Sequence, residues 1–245
     1  MTTSGTASFN LDLNDIIEEA YERCGVEVRT GYEHRTARRS LNLLFADWAN
    51  RGINLWTIEQ GSISLVQGQV SYDLPVDTVD LLEHVIRTGA GNSATQADLT
   101  ISRISVSTYA TIPNKLTQGR PIQVWVNRQS GATIPNTNPP PDTVVNSPQI
   151  NVWPTPDGSQ TYQFVYWRMR RIQDAGSGTS TQDIPFRFLT CLVSGLAYYL
   201  ALKIPEALNR LEPLKQMYDE AWDLAAGEDR EKAPDRLVPR RMYIS

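Results

Sequence analysis

The sequence predicts an α+β protein: a helical bundle formed by N- and C-terminal helices, an inserted antiparallel β domain, and an extended C-terminal tail. Three observations carry that prediction. Residues 56–185 hold 18 charged residues in 130, against 32 in the other 115. Eleven of the fifteen prolines fall in the same stretch. Apolar residues recur at three- and four-residue steps near both ends and at two-residue steps in the middle, the periods of helix and strand. The domains are therefore expected at 1–55 with 186–227 (helical), 56–185 (β) and 228–245 (tail).

The first helix is expected from Leu13 to Arg23. Asp12 or Asn14 can cap it, because a short side-chain oxygen accepts from the free amides of a helix start. Ile16, Ile17, Ala20, Tyr21 and Cys24 share one face, and Gly25 stops it. A second helix, Glu33 to Asn50, carries Ala37, Leu41, Leu44, Phe45 and Trp48 on one stripe. Arg35, Arg38, Arg39 and Asn42 lie largely off that stripe.

Phe186 to Leu202 is apolar almost all round, as a helix packed between other elements must be. Pro205 suits the first turn of a last helix. Its stripe is Leu208, Leu211, Leu214, Tyr218, Trp222 and Ala225, and Pro213 should kink or split it. Neither helix pair can hide its stripe alone, so the two chain ends must meet.

In the middle, Ile63/Leu65 and Val70/Tyr72/Leu74 alternate around Gln67-Gly68-Gln69, which suggests a hairpin. Leu81–Arg87, Leu99/Ile101, Ile122/Val124/Val126, Ile150/Val152 and Tyr162/Phe164/Tyr166 read as further strands. Pro156-Asp157-Gly158 supplies turn chemistry between the last two. Residues 129–148, with Pro139-Pro140-Pro141, have no periodicity.

Composition excludes several function classes. With 27 acids against 23 bases the net charge is −4, which disfavours a domain built on phosphate neutralisation. Cys24 and Cys191 lack metal-ligand spacing and read as reduced core thiols. No apolar run reaches the roughly 18 residues that span a bilayer. Residues 1–10 have neither the basic start nor the apolar core of a secretory signal.

Catalytic signals are weak. His34 and His84 are 50 residues apart and fit no zinc or nucleophile pattern. Gly89-Ala90-Gly91-Asn92-Ser93-Ala94 matches a dinucleotide fingerprint in letters only. A strand-like segment follows it, whereas the fingerprint needs a helix N-terminus for the pyrophosphate. Asp73, Asp77, Asp80 and Glu83 could serve glycoside chemistry, but a solvated loop is the simpler reading. Trp125, Trp153, Tyr162, Tyr166 and Trp167 offer an alternative, an aromatic glycan-binding face, although alternating spacing favours strand core.

Three features point to assembly. Residues 12–22 carry five acids (Asp12, Asp15, Glu18, Glu19, Glu22) and no base. Residues 29–39 carry Arg29, Arg35, Arg38 and Arg39 with one Glu. Such faces can pair within a subunit or between copies. Finally, Arg236-Leu237-Val238-Pro239-Arg240-Arg241-Met242-Tyr243-Ile244-Ser245 mixes Arg with apolar and aromatic residues, typical interface anchors. It is either a segment that orders on a partner or an inert terminus.

Arg35-Thr36-Ala37-Arg38-Arg39-Ser40-Leu41-Asn42-Leu43-Leu44, then Asp47-Trp48-Ala49-Asn50-Arg51-Gly52-Ile53-Asn54-Leu55-Trp56, and Tyr72-Asp73-Leu74-Pro75 together carry a family resemblance. With the C-terminal helix pair and basic tail, the chain resembles the head-to-tail adaptor proteins of short-tailed bacteriophages, the tail-tubular-protein-A-like connectors. The resemblance implies a non-enzymatic virion protein at the head–tail interface, assembled in the host cytoplasm. Its copies form a ring, dodecameric in that family, beneath the portal protein. The ring receives the tail nozzle protein below, and DNA passes through its lumen without sequence-specific binding. No cofactor, metal or membrane is implied. Arg236, Arg240, Arg241 and Tyr243 are expected to dock on the portal, with Leu237 and Ile244 as apolar anchors. Arg35, Arg38 and Arg39 are expected at subunit contacts, and loop 129–148 at the next tail component.

Overall fold

The computed structural model describes residues 4–28, 31–52, 55–128, 132–134, 143–145 and 147–229. In chain order the elements begin with helices α1 (Leu13–Cys24) and α2 (Gly31–Asn50), followed by strands β1 (Ile58–Ser64), β2 (Ser71–Asp73), β3 (Thr78–Thr88), β4 (Ala97–Thr100) and β5 (Ser102–Arg103). Then come α3 (Val106–Ala110), β6 (Gln123–Asn127), β7 (Ala132–Ile134), β8 (Thr143–Val145), β9 (Gln149–Trp153), β10 (Tyr162–Arg170), α4 (Leu189–Ala201) and α5 (Leu211–Glu228). The protein is α+β, in two compact units: a strand unit, Thr57–Arg171, and a helical unit built from the described chain on either side of it.

The strand unit ends at 171 rather than at 185. Residues 172–185 are tied to the helices by backbone bonds: Leu13 N donates to Ser180 O at 3.1 Å and Asn14 N to Gly178 O at 3.1 Å. Ile172 and Ala175 join the helical core.

α1 is capped as its sequence demands. Asp12 Oδ1 accepts from Asp15 N at 3.0 Å, Asp15 Oδ2 accepts from Asp12 N at 3.4 Å, and Gly25 closes the helix at φ 80°. α4 packs against α1, α2 and α5. It is short of polar residues because nearly every side is covered: Leu192, Leu196, Ala197 and Leu200 are all fully buried. At Gly195 an added Cβ would lie 2.9 Å from both Leu44 Cδ2 and Tyr218 Cε2, so the missing side chain lets α2 and α5 close on α4. Trp48, Phe188 and Trp222 form the aromatic centre, with Trp48 at 5.5 Å from each of the other two rings.

Pro213 does not kink the last helix. A 3-10 turn, Pro205–Arg210, precedes α5, which places Pro213 in the first α-helical turn, where no intrahelical amide is missed. For the same reason Leu208 leaves the stripe and is 56% exposed, while Ala207 is buried.

The strand unit has one four-stranded sheet in the order β1-β10-β3-β4, a second in the order β2-β9-β6-β5, and a separate β7-β8 pair. Inward residues of both large sheets share one core, including Ile86, Phe164 and Tyr166 from the first and Val124, Ile150 and Val152 from the second. The expected hairpin at Gln67-Gly68-Gln69 does not form. β1 pairs antiparallel with β10 and β2 with β9, so the turn carries the chain from one sheet to the other. Tyr72 fixes that crossing: its hydroxyl accepts from Val66 N at 2.8 Å and donates to Val66 O at 3.1 Å.

Candidate assembly interface

α2 separates apolar and basic residues by periodicity alone. Ala37, Leu41, Leu44 and Trp48 are fully buried. Arg35, Arg38 and Arg39 fall on the opposite side and are exposed. Among the described residues none of these three guanidinium groups has a carboxylate within ion-pair distance. With Tyr32 and Asn42 they border an open depression of about 490 Å³. Beside them, Lys203 Nζ donates to Ser40 Oγ at 2.6 Å. Burial, and then the Arg39 charge, hold the Lys203 pKa below its ordinary value.

The acidic face of α1 does not neutralise this patch. Arg23 Nε bonds Glu19 at 2.8 Å along the same helix and reaches Ser194 Oγ at 2.8 Å. Glu18 and Glu22 are exposed and, among the described residues, unpaired. Of the two pairings the sequence leaves open, pairing within the subunit is therefore absent among the described residues. Asp229, whose side chain is fully buried at the end of α5, pairs with Arg187. Sequence reading missed this anchor because Asp229 sits in a run of charges that reads as solvated. Arg236, Leu237, Arg240, Arg241, Tyr243 and Ile244 lie outside the described residues. So does most of loop 129–148, of which the β7–β8 pair is described.

The rival sites are not assembled. Of the four acids, Asp73 accepts from Gln149 at 2.8 Å, Asp77 from Arg168 at 2.6 Å, and Asp80 from both Arg103 and Arg128. The side-chain hydrogen bond from Arg168 holds the Asp77 carboxyl below the usual range. The glycine run Gly89–Gly91 is a turn between β3 and β4, and a strand follows it. The aromatics do not form one face, although the register puts Trp125 and Trp153 side by side on the second sheet. Tyr162 and Tyr166 are buried in the core, Trp125 stacks on Tyr109 at 5.1 Å, and Trp153 donates to the Asn114 carbonyl at 3.1 Å. Cys24 and Cys191 are buried free thiols whose pKa values burial pushes up to about 11 and about 12. Among the described residues no group of His, Cys and acids is arranged to hold a metal. No helix among them is long and apolar enough to cross a membrane.

An exposed helix face with unneutralised arginines suits a protein that works by contact. The family model for the SU10 adaptor protein matches residues 10–240. No curated protein matches the chain. The chain therefore belongs to the SU10 adaptor protein family and is a structural phage adaptor, a component of the virion.

Proposed function

We propose that copies of this subunit assemble head to tail into a ring that joins the portal protein to the tail nozzle of a short-tailed phage. The observation that carries the reading is the exposed, unpaired cluster of Arg35, Arg38 and Arg39 on α2. Uncompensated like charge on one helix face is costly in the free subunit and is relieved when an acidic surface of another copy covers it. A heterologous contact of that kind closes into a ring when its rotation divides a full turn.

The C-terminal segment is the portal clamp in this reading. Arg236, Arg240, Arg241 and Tyr243 supply hydrogen bonds and planar stacking surface, and Leu237 and Ile244 supply apolar anchors. The Arg187–Asp229 pair anchors the end of α5 at the last described residue of the chain. A subunit of net charge −4 also suits a conduit, since each Lys or Arg engaged on phosphate would hold back the moving DNA. Deleting 236–245 should leave the circular dichroism of the subunit unchanged and abolish capture by immobilised portal. Undiminished capture would remove the clamp from the account.

A further inference from the structure

α5 carries a second set of apolar residues that its own core does not use. Leu214, Tyr218, Trp222 and Ala225 face inward and are buried. On the outside, Met217 is 47% and Leu224 is 76% exposed, with Pro213 exposed on the same side. Glu220 lies beside them, with Asp223 and Glu212 further round the same exposed surface, while Lys215 lies on the far flank. A solvent-facing helix gains nothing from Met and Leu there, whereas the centre of a protein interface does.

We infer that this outward face of α5 is the surface that covers the arginine face of α2 on the next copy of the chain. The inference rests on the ring reading above and names the second half of its interface. The charges match in sign and in spacing. Glu220 and Asp223 stand three residues apart, as do Arg35 and Arg38, so each pair forms one ridge. The apolar parts match as well: the α2 face continues into Leu43, 55% exposed, and exposed Ala46, which can receive Met217 or Leu224. Within one subunit the two helices meet through Trp48, Tyr218 and Trp222, and among the described residues nothing covers their outward faces. The acidic face of α1 is the poorer partner. It borders exposed Phe9, but Glu19 is already held by Arg23 and Asp12 and Asp15 by their capping box, which leaves Glu18 and Glu22.

The test uses three full-length charge-reversal variants. One is Glu220→Lys with Asp223→Lys, the second is Arg35→Glu with Arg38→Glu and Arg39→Glu, and the third is Glu18→Lys with Glu22→Lys. Each is checked for a native circular dichroism spectrum and then mixed with the portal protein of the same virus. Ring occupancy is counted by negative-stain microscopy. The first two variants alone should each form rings at least about tenfold less well than wild type. An equimolar mixture of them should recover rings, because every contact in an alternating ring again joins opposite charges. The α1 variant should assemble as wild type does. Normal rings from the α5 variant, or no recovery in the mixture, overturn the inference. If the α1 variant instead fails alone and is rescued by the α2 variant, the partner face is α1 and the ring reading survives. If wild type forms no ring on portal, the ring reading fails and this inference with it.

Discussion

The indole N–H of Trp48 donates to the Tyr218 hydroxyl at 3.0 Å, joining α2 to α5 across 170 residues of sequence. Both side chains are buried, and burial raises the Tyr218 pKa above its ordinary value, so the phenol stays neutral throughout the working range. This bond is one reason the N- and C-terminal helices form a single core. Tyr218→Phe leaves a buried indole N–H without a partner and should cost about 1–3 kcal/mol. Trp48→Ala also opens a cavity beside Phe188 and Trp222 and should cost about 3–5 kcal/mol. Urea denaturation followed by far-ultraviolet circular dichroism reads both. A Trp48→Ala chain as stable as wild type would show that the helical core is not organised around this residue.

In the strand unit Arg168 is the corresponding polar joint. Its guanidinium reaches Asp77 at 2.6 Å, Thr78 Oγ1 at 3.0 Å and Glu59 at 2.8 Å, and so ties β10 to β1 and to the start of β3. Arg168→Met should destabilise the unit by about 1–3 kcal/mol, toward the lower end because Asp77 and Glu59 are half-exposed and rehydrate. Arg168→Lys should recover only part of this, since an ammonium cannot fork between two carboxylates. Equal melting temperatures for Lys and Arg at this position would contradict that geometry.

His84 sets a pH dependence. Its ring packs on Phe164 at 5.8 Å, and among the described residues neither ring nitrogen has a hydrogen-bond partner. Burial, and then the Arg103 charge, lower its pKa, with the Glu83 charge acting the other way. The folded state thus takes up the proton less readily than the unfolded chain, whose His titrates near 6.5. Stability is full above that pH and falls as the pH drops from it toward the folded value. Hydrogen exchange at β3 and β10 amides should therefore accelerate between pH 7.5 and 5.5, after correction for intrinsic rates, and His84→Leu should flatten the change. An unchanged slope in the variant would remove His84 as its source.

The residues show why some features were readable and others not. Ala37, Leu41, Leu44, Phe45 and Trp48 repeat at helical spacing, and all five are buried. The same pattern pushes Arg35, Arg38 and Arg39 outward, so the basic face was readable as well. Asp12 was readable as a cap because capping is a local matter between it and Asp15. Strand pairing is not local. Ile63 and Tyr72 alternate equally well for a hairpin or for remote partners, and the partners here are β10 and β9, far along the chain. Pro213 was misplaced because the change from 3-10 to α-helix at Leu211 follows from packing rather than composition. Met217 and Leu224 were hidden by the stronger inward stripe of α5. The short helix α3, capped by Ser105, gives too few residues for a period to appear.

The central claim is that unpaired arginines on one helix face are covered by another copy of the chain in a closed ring. The most direct measurement is electron microscopy of the full-length protein mixed with its portal protein, with Arg35→Glu/Arg38→Glu/Arg39→Glu run alongside. Wild type should give a closed ring seated on the portal, and the folded variant should lose it. Isolated subunits scattered on the portal, or rings unaffected by the reversal, would contradict the claim.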